Sequence, residues 1–197
     1  MKGSILFFIC ILSLSQSMGQ HLHGEPRTKK QFKKEKENHN CIETSKYTPE
    51  ERRKFYPFDT STVIKIVSFD NLGDSAFAHV LPIRNAEIDF LKITENKTLN
   101  SEQIDALTNI LYNVTYKGEI FFLWGTGCYN PRNAILFYDS HEHLLEFIEL
   151  CFECHEQRLS SDKIQLGDLC NQKSNLLKDY FLKTGIEIGT IKEVRDH

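Results

Sequence analysis

The segment Cys151-Phe152-Glu153-Cys154-His155 constrains this chain most, because its two thiols can act together only if the backbone turns between them. In a continued strand the Cα atoms of Cys151 and Cys154 would lie about 10 Å apart. A disulfide requires that they lie within about 7 Å of each other. A turn would allow a disulfide within the pair, half of a zinc site, or covalent attachment of haem with His155 as the iron ligand. A continued strand would send each thiol to a separate partner.

The N-terminal residues predict that the chain is exported. Lys2 precedes an apolar run from Ile5 to Leu14, and small and polar residues follow as far as Gly19. This pattern is typical of a secretory signal peptide, to which we assign residues 1–19. The run is shorter than the roughly 20 residues that span a bilayer. We therefore expect a soluble mature protein that is periplasmic or extracellular.

Export would place the cysteines in a compartment where disulfides persist. One of the six cysteines, Cys10, lies within the signal peptide. The five that remain are Cys41, Cys128, Cys151, Cys154 and Cys170. Because five is an odd number, at least one thiol is free, bound to another group or joined to another chain.

Residues 20–40 are strongly basic, with six Lys or Arg against three Glu and hardly an apolar side chain. We predict a disordered basic arm, since this segment cannot bury enough apolar surface to offset the entropy cost of ordering. Such an arm is most simply a solvated tether, and weak contact with an anionic surface is the alternative. Residues 41–197 hold 17 basic and 24 acidic residues and are assigned to one domain. The sequence carries no signal of specific nucleic-acid binding and identifies no partner.

Runs of Val, Ile, Leu and Phe predict strands, and capped segments with an apolar face predict helices. Thr48 with Glu51, and Asn100 with Gln103, form capping boxes that begin two helices. The predicted strands cover residues 61–69, 76–81, 87–93, 119–124, 133–138 and 144–150, and a last helix covers residues 168–184, with Gly185 as its stop. The sequence thus predicts an α+β fold, a mainly antiparallel sheet covered by two or three helices in two layers.

The last two predicted strands form a hairpin around a polar tetrad, and this hairpin positions the cysteines. Its register places Cys128 opposite Glu153, and therefore beside both Cys151 and Cys154. Cys170 lies on the inward face of the last predicted helix, which must cover the same sheet. We therefore predict a cluster of Cys128, Cys151, Cys154 and Cys170. We expect these cysteines to form structural disulfides, such as one that joins Cys170 to Cys128 or to Cys151. A four-cysteine zinc site is the alternative.

A c-type haem bound by Cys151, Cys154 and His155 would make the protein an electron carrier. Export permits haem attachment, but the chain has no Met after Met18, so a histidine would have to be the second axial ligand. The motif also follows a predicted strand, whereas familiar mono-haem cytochromes c are helical. We expect no cofactor as the first possibility, zinc as the second and haem c as the third.

The sequence identifies no catalytic residues, and it favours a binding or structural role over an enzyme. His141 and His143 fall at the hairpin turn, some ten residues from Cys128, which is too far for a Cys–His dyad. A redox-active pair of the thioredoxin type ranks last, because no Pro follows Cys154. The carboxylates predicted to lie on a solvated strand surface are Glu146, Glu149 and Glu153.

Arg132 lies in the loop beside the predicted cluster, close to Tyr129. We predict that Arg132 pairs with Glu149 or Glu153 across the hairpin. Binding of an anion by Arg132 and Tyr129 is the alternative.

Two segments of the chain carry a resemblance, namely residues 128–138 (CYNPRNAILFY) and residues 148–154 (IELCFEC). They resemble small exported bacterial proteins of the Bacteroidetes type, which carry a Cys-Tyr-x-Pro-Arg strand and an Ile-Cys-Phe-x-Cys strand. Leu150 stands where the second pattern has Ile, and the likeness covers roughly residues 60–186. That group has no assigned activity, so the resemblance supplies no catalytic residues. It implies that the cysteines belong to a shared scaffold in which His155 is not a regular member.

Overall fold

The computed structural model describes residues 28–70, 79–121 and 128–191. The helices in these residues are α1 (Lys29–Asn38), α2 (Pro49–Arg52), α3 (Ser101–Asn113) and α4 (Lys173–Lys183). The strands are β1 (Cys41–Glu43), β2 (Val63–Phe69), β3 (Ile83–Arg84), β4 (Glu87–Ile88), β5 (Ile93–Thr98), β6 (Val114–Tyr116), β7 (Asn133–Tyr138), β8 (Leu144–Cys151) and β9 (Glu156–Leu159). No helix in the described ranges is both long enough and apolar enough to cross a bilayer.

The main sheet is antiparallel and has the strand order β5-β2-β7-β8-β9. Two small sheets accompany it, one formed by β1 with β6 and the other by β3 with β4. The predicted hairpin is β7 with β8, in which Asn133 faces Leu150 and Phe137 faces Glu146. The prediction of an α+β fold built on a mainly antiparallel sheet is confirmed.

Each face of the main sheet has its own hydrophobic core, because side chains alternate between the two faces along every strand. On one face the strands pack against α3 and α4, and Ile135 and Phe181 are fully buried there. On the other face Val67, Phe69 and Leu136 pack beneath Leu81 and Ile88, which come from the segment between β2 and β5. The sheet is therefore covered on both sides.

The helix starts follow the capping chemistry of the sequence. The side chains of Thr48 and Asn100 each accept a hydrogen bond from the backbone N–H three residues later. The side chains of Glu51 and Gln103 in turn accept a hydrogen bond from the backbone N–H of Thr48 and Asn100. The last helix ends as predicted, with Gly185 at a φ of +94°. It begins five residues later than predicted, at Lys173, because residues 168–172 follow a separate path that leads Cys170 to a disulfide.

The segment around residue 90 differs from the single strand predicted for residues 87–93. The Asp89 carboxylate accepts a hydrogen bond from the Leu91 backbone and begins a 3-10 turn, so that β4 ends at Ile88 and β5 begins only at Ile93. The predicted strands at 76–81 and 119–124 are each half described, and residues 79–81 and 119–121 belong to none of the strands given above. The other halves lie outside the described residues. The sequence did not predict the short strands β1, β3, β6 and β9.

Part of the predicted disordered arm is a helix. A capping box between Thr28 and Gln31 begins α1. Glu35 and His39 are buried in the fold, and the Asn38 side-chain amide donates to the Glu119 carbonyl oxygen at 2.7 Å. α1 has too few apolar side chains to be stabilised by hydrophobic burial, and these contacts with a distant segment stabilise it instead. Residues 20–27 of the arm lie outside the described residues.

Candidate functional site

The backbone turns immediately after Cys151. Cys151 is the last residue of β8 and pairs with Glu156 of β9, and residues 152–155 form a hydrogen-bonded turn between them. His155 closes this turn with a φ of 55° and is exposed. Residues three apart across such a turn have their Cα atoms within about 7 Å. Cys151 and Cys154 therefore lie on a turn and not on a continued strand.

Cys154 forms a disulfide with Cys128, with their Cα atoms 5.8 Å apart. The bond ties the loop that precedes β7 to the turn that follows β8. Cys128 is exposed, whereas Cys154 is 3% exposed. The predicted closeness of Cys128 to the Cys-x-x-Cys pair therefore agrees with the structure.

Cys151 keeps a free thiol, although it is only 2% exposed. Its Sγ atom donates to the carbonyl oxygen of Asn130 at 3.4 Å. Asn130 lies two residues after Cys128, so the thiol faces the same loop that carries the disulfide. Three of the four cysteines predicted to cluster are brought together here.

The fourth, Cys170, is bonded to Cys41, with their Cα atoms 5.1 Å apart. The expected pairing of Cys170 with Cys128 or Cys151 is wrong, since Cys170 lies before α4 and faces β1 instead of the hairpin. Four cysteines of the described chain are thus oxidised, and its residues contain no group of three or more His, Cys, Asp or Glu placed to hold a metal. The zinc site remains a prediction for the reduced chain. The haem site also remains a prediction, and it would require the Cys128–Cys154 bond to be absent.

A buried carboxylate stands next to the cysteine turn. Glu149 is fully buried and accepts hydrogen bonds from the Tyr129 hydroxyl at 2.8 Å, the Leu81 backbone N–H at 2.7 Å and the Arg158 Nε at 2.7 Å. Burial raises the pKa of the Tyr129 hydroxyl well above its ordinary value, and the bond to Glu149 adds to the rise. Tyr129 is therefore a permanent donor, and Glu149 holds three segments together.

Two predictions about this region are wrong. Of the three carboxylates predicted to lie on a solvated strand surface, Glu153 is exposed but Glu146 and Glu149 are buried. Tyr56, Ser160 and Ser161 donate hydrogen bonds to Glu146. The cation that pairs with Glu149 is Arg158, because the unpredicted strand β9 pairs with β8 and places Arg158 opposite Glu149. Arg132 has no such pairing, and within the described residues its Nε and Nη1 atoms are buried without a hydrogen-bond partner.

His79 is also buried beside the loop, but its ring is already engaged. Its Nε2 atom lies 2.6 Å from an Asp70 carboxylate oxygen, and its Nδ1 atom lies 2.9 Å from the Asn130 side-chain oxygen. The His79 backbone N–H donates to the same Asn130 oxygen at 2.7 Å. Both ring nitrogens therefore face Asp70 and Asn130, and this histidine fixes the loop without forming a Cys–His dyad with Cys151.

The segments that follow Cys41 and precede Cys170 line a cavity of about 180 Å³ that the sequence did not predict. The cavity is lined by Thr44, Lys46, Tyr47, Phe55, Tyr112, Thr115, Gln165, Leu166, Gly167 and Asp168. Three of these residues form an aromatic wall. The ring of Phe55 lies 5.0 Å from that of Tyr47, edge to face, and 4.4 Å from that of Tyr112.

The Cys41–Cys170 bond joins the two sides of this cavity. Residues 44–47 follow Cys41, and residues 165–168 precede Cys170. Two further contacts hold the second side in place, because the Thr115 hydroxyl donates to the Asp168 carboxylate and the Tyr116 hydroxyl donates to the Leu169 carbonyl oxygen at 3.0 Å. The cavity is therefore built from parts of the chain that lie far apart in sequence.

Charge is concentrated on the same walls. The Lys46 Nζ atom lies 4.9 Å from the centroid of the Tyr47 ring. Its hydrogen bond with Tyr47 raises the pKa of Lys46, and attraction to Asp168 adds a smaller contribution. The cavity thus combines aromatic faces, one carboxylate and an exposed ammonium group.

A buried lysine lies behind the wall that Gly167 forms. Lys173 is 2% exposed, and its Nζ atom donates to the Leu111 carbonyl oxygen at 2.8 Å. Desolvation lowers the pKa of Lys173 to about 8. A side chain at position 167 would overlap the Leu111 oxygen, so only glycine allows this close approach.

Comparisons with protein-family models, with curated proteins and with solved structures give no match. The resemblance of residues 128–138 and 148–154 to small exported bacterial proteins therefore stays a prediction. Support for a function comes from the geometry of the cysteine turn and of the aromatic cavity.

Proposed function

We propose that this chain is an exported, disulfide-stabilised binding domain whose aromatic cavity takes the ammonium group of a small organic cation. The observation that carries the proposal is the position of Lys46, whose ammonium nitrogen lies 4.9 Å from the Tyr47 ring centroid. A positive charge is already accommodated against this wall of the cavity.

Aromatic faces carry negative potential and attract cations within about 6 Å, with a gain of about 0.5 to 2 kcal/mol that grows as the cation is desolvated. Tyr47, Phe55 and Tyr112 supply such rings, and Asp168 supplies a carboxylate among the lining residues. The ammonium group of Lys46 lies at the end of a flexible, exposed side chain, so a ligand ammonium can displace it at little cost in free energy.

The cavity is small for a drug-sized ligand, since such pockets enclose about 300 to 1,000 Å³. Its volume of about 180 Å³ suits the head of a ligand, such as a methylated ammonium group, with the rest remaining outside. Lys173 does not favour an anion here, because it is not among the lining residues and its Nζ atom donates to the Leu111 carbonyl oxygen.

The disulfides support the exported setting. The N-terminal signal-like segment predicts export, and two disulfides are typical of proteins that work in an oxidising compartment. The Cys41–Cys170 bond also has a direct use in binding, because it fixes the separation of the two cavity walls. Export is tested by finding the protein outside the cytoplasm with its N-terminus at Gln20.

The test of binding compares choline with 3,3-dimethyl-1-butanol, which has the same shape but no charge. Amide NMR shifts of the mature protein would be followed while each compound is added. We expect choline to shift residues 44–47, 112–115 and 165–168 and to bind with a dissociation constant of about 1 mM, equivalent to about 4 kcal/mol. The neutral compound should bind at least about tenfold more weakly, because it gains no cation–π or charge attraction. Equal binding of both compounds, or shifts confined to other residues, would contradict the proposal.

A further inference from the structure

We propose that the cysteine turn is a site of intramolecular thiol–disulfide exchange, in which the disulfide moves from Cys128–Cys154 to Cys151–Cys154. The free thiol would thereby move from the buried Cys151 to the exposed Cys128. This inference concerns the end of β8 and is independent of the cation cavity.

The three sulfur-bearing residues converge in the resting structure. Cys154 is bonded to Cys128 and lies in the hydrogen-bonded turn at residues 152–155, which begins directly after Cys151. The Cys151 thiol lies 3.4 Å from the Asn130 carbonyl oxygen, in the loop that carries Cys128. From this turn we expect the Cα atoms of Cys151 and Cys154 to lie within the roughly 7 Å that a disulfide accepts.

The exchange needs no external oxidant or reductant. The Cys151 thiol loses its proton, and the thiolate attacks the Sγ atom of Cys154. A Cys151–Cys154 bond forms as the Cys154–Cys128 bond breaks, and the sulfur of Cys128 leaves as a thiolate that takes up a proton. The number of disulfides and free thiols is unchanged.

The two forms differ in what they expose. In the resting form the only free thiol of the described chain is 2% exposed and donates to a backbone oxygen. In the exchanged form the free thiol would belong to Cys128, which is exposed, and the loop before β7 would no longer be fastened to the turn after β8. The exchanged form would therefore present a thiol to small disulfides and electrophiles.

The experiment compares which cysteine carries a thiol label in two separate samples, with disulfides and labels located by peptide mapping. Protein denatured in acid is first labelled with a maleimide, which should mark Cys151 and leave Cys128–Cys154 intact, since exchange is suppressed when thiols are protonated. Native protein held with iodoacetamide at pH 8 should instead gain one label at Cys128 and contain a Cys151–Cys154 disulfide. The rate of native labelling should rise about tenfold per pH unit below the thiol pKa. The Cys41–Cys170 bond should be unchanged in both samples. If Cys10 is present, its label falls on a different peptide and is not confused with labels on Cys128, Cys151 or Cys154.

The matched control is Cys151→Ser, which has no attacking thiol and should take no native label at Cys128. Cys151→Ala serves the same purpose if the serine variant does not fold. The peptide map of the wild-type protein tests the exchange even if neither variant folds. Native labelling at Cys151 with Cys128–Cys154 intact would overturn the proposal. So would labelling at Cys154, native protein that stays unlabelled after prolonged exposure, or equal labelling of Cys128 in the control.

Discussion

Cys41 and Cys170 are separated by 129 residues in sequence, yet their disulfide joins the two walls of the aromatic cavity. The segment after Cys41 provides Lys46 and Tyr47, and the segment before Cys170 provides Asp168. The bond therefore stabilises the fold and the candidate binding site together.

Removing this disulfide should cost more stability than removing the other one. Constraint of the unfolded chain by a loop of 129 residues is worth about 5 kcal/mol, against about 3.5 kcal/mol for a loop of 26 residues. Urea unfolding of the double variants Cys41→Ser with Cys170→Ser, and Cys128→Ser with Cys154→Ser, measures both losses. Only the first double variant should also lose choline binding. The reverse order of stability, or loss of binding in the second variant alone, would contradict this role.

Removing the side chain of Lys46 should tighten choline binding. Lys46→Ala abolishes both the competitor for the Tyr47 ring and a repulsive charge, and a gain of about 1 kcal/mol corresponds to about a fivefold lower dissociation constant. Lys54→Ala removes an exposed lysine that does not line the cavity, and it should leave the constant unchanged. Weaker binding by Lys46→Ala would show that Lys46 contacts the ligand and does not compete with it.

Burial of Lys173 predicts a rise in stability on the alkaline side of neutrality. Its pKa is about 8 in the folded protein and is 10.5 for an unperturbed lysine, so between these values the unfolded chain binds the additional proton. Stability must then increase with pH, by about 2 kcal/mol between pH 8 and pH 10. Above pH 10 the trend should reverse, because burial raises the pKa of Tyr56 and of Tyr138 to about 12 and their ionisation favours the unfolded chain.

The measurement is urea unfolding from pH 7 to pH 11 in the Cys151→Ser background, which prevents thiol exchange. Lys173→Met in that background should be more stable at pH 7 and should lack most of the rise. A rise of equal size in both proteins would assign it to other groups.

Loss of the Arg158 charge should destabilise the protein, because Glu149 is fully buried and Arg158 is the cation that pairs with it. Arg158→Met leaves the carboxylate with the Tyr129 and Leu81 hydrogen bonds alone, at a cost of about 2 to 3 kcal/mol. Arg84→Met is the matched control, since Arg84 is an exposed residue of β3, and it should change the unfolding free energy by less than about 0.5 kcal/mol. Urea unfolding that gives equal costs would rule out a structural role for the Arg158–Glu149 pair.

The parts of the fold that could be predicted are those fixed by local chemistry. The capping boxes at Thr48 and Asn100 and the stop at Gly185 involve residues within a few positions of one another, and all three are correct. The pairing of β7 with β8 follows from the short turn between them, and it correctly brought Cys128 to the Cys-x-x-Cys pair. The register itself is offset by two residues, because Asn133 faces Leu150 where the prediction placed Ile148.

The missed features depend on contacts between distant segments. Cys41 carries no local sign that its partner is Cys170, since the pairing depends on where β1 and the start of α4 meet. Likewise, β9 is short and polar, so the position of Arg158 beside Glu149 could not be read from apolar periodicity. The cavity combines both difficulties, because its aromatic rings come from α3 and from the segments before and after α2.

The claim that this cavity binds an ammonium group is tested most directly by titrating choline into Asp168→Asn. Asparagine keeps the size of the side chain and an oxygen that can accept the Thr115 hydrogen bond, so the charge is what changes. Asp162→Asn is the control, because Asp162 is exposed and does not line the cavity. We predict about tenfold weaker choline binding by Asp168→Asn and an unchanged dissociation constant for Asp162→Asn. Equal dissociation constants for the wild type and both variants would contradict this claim.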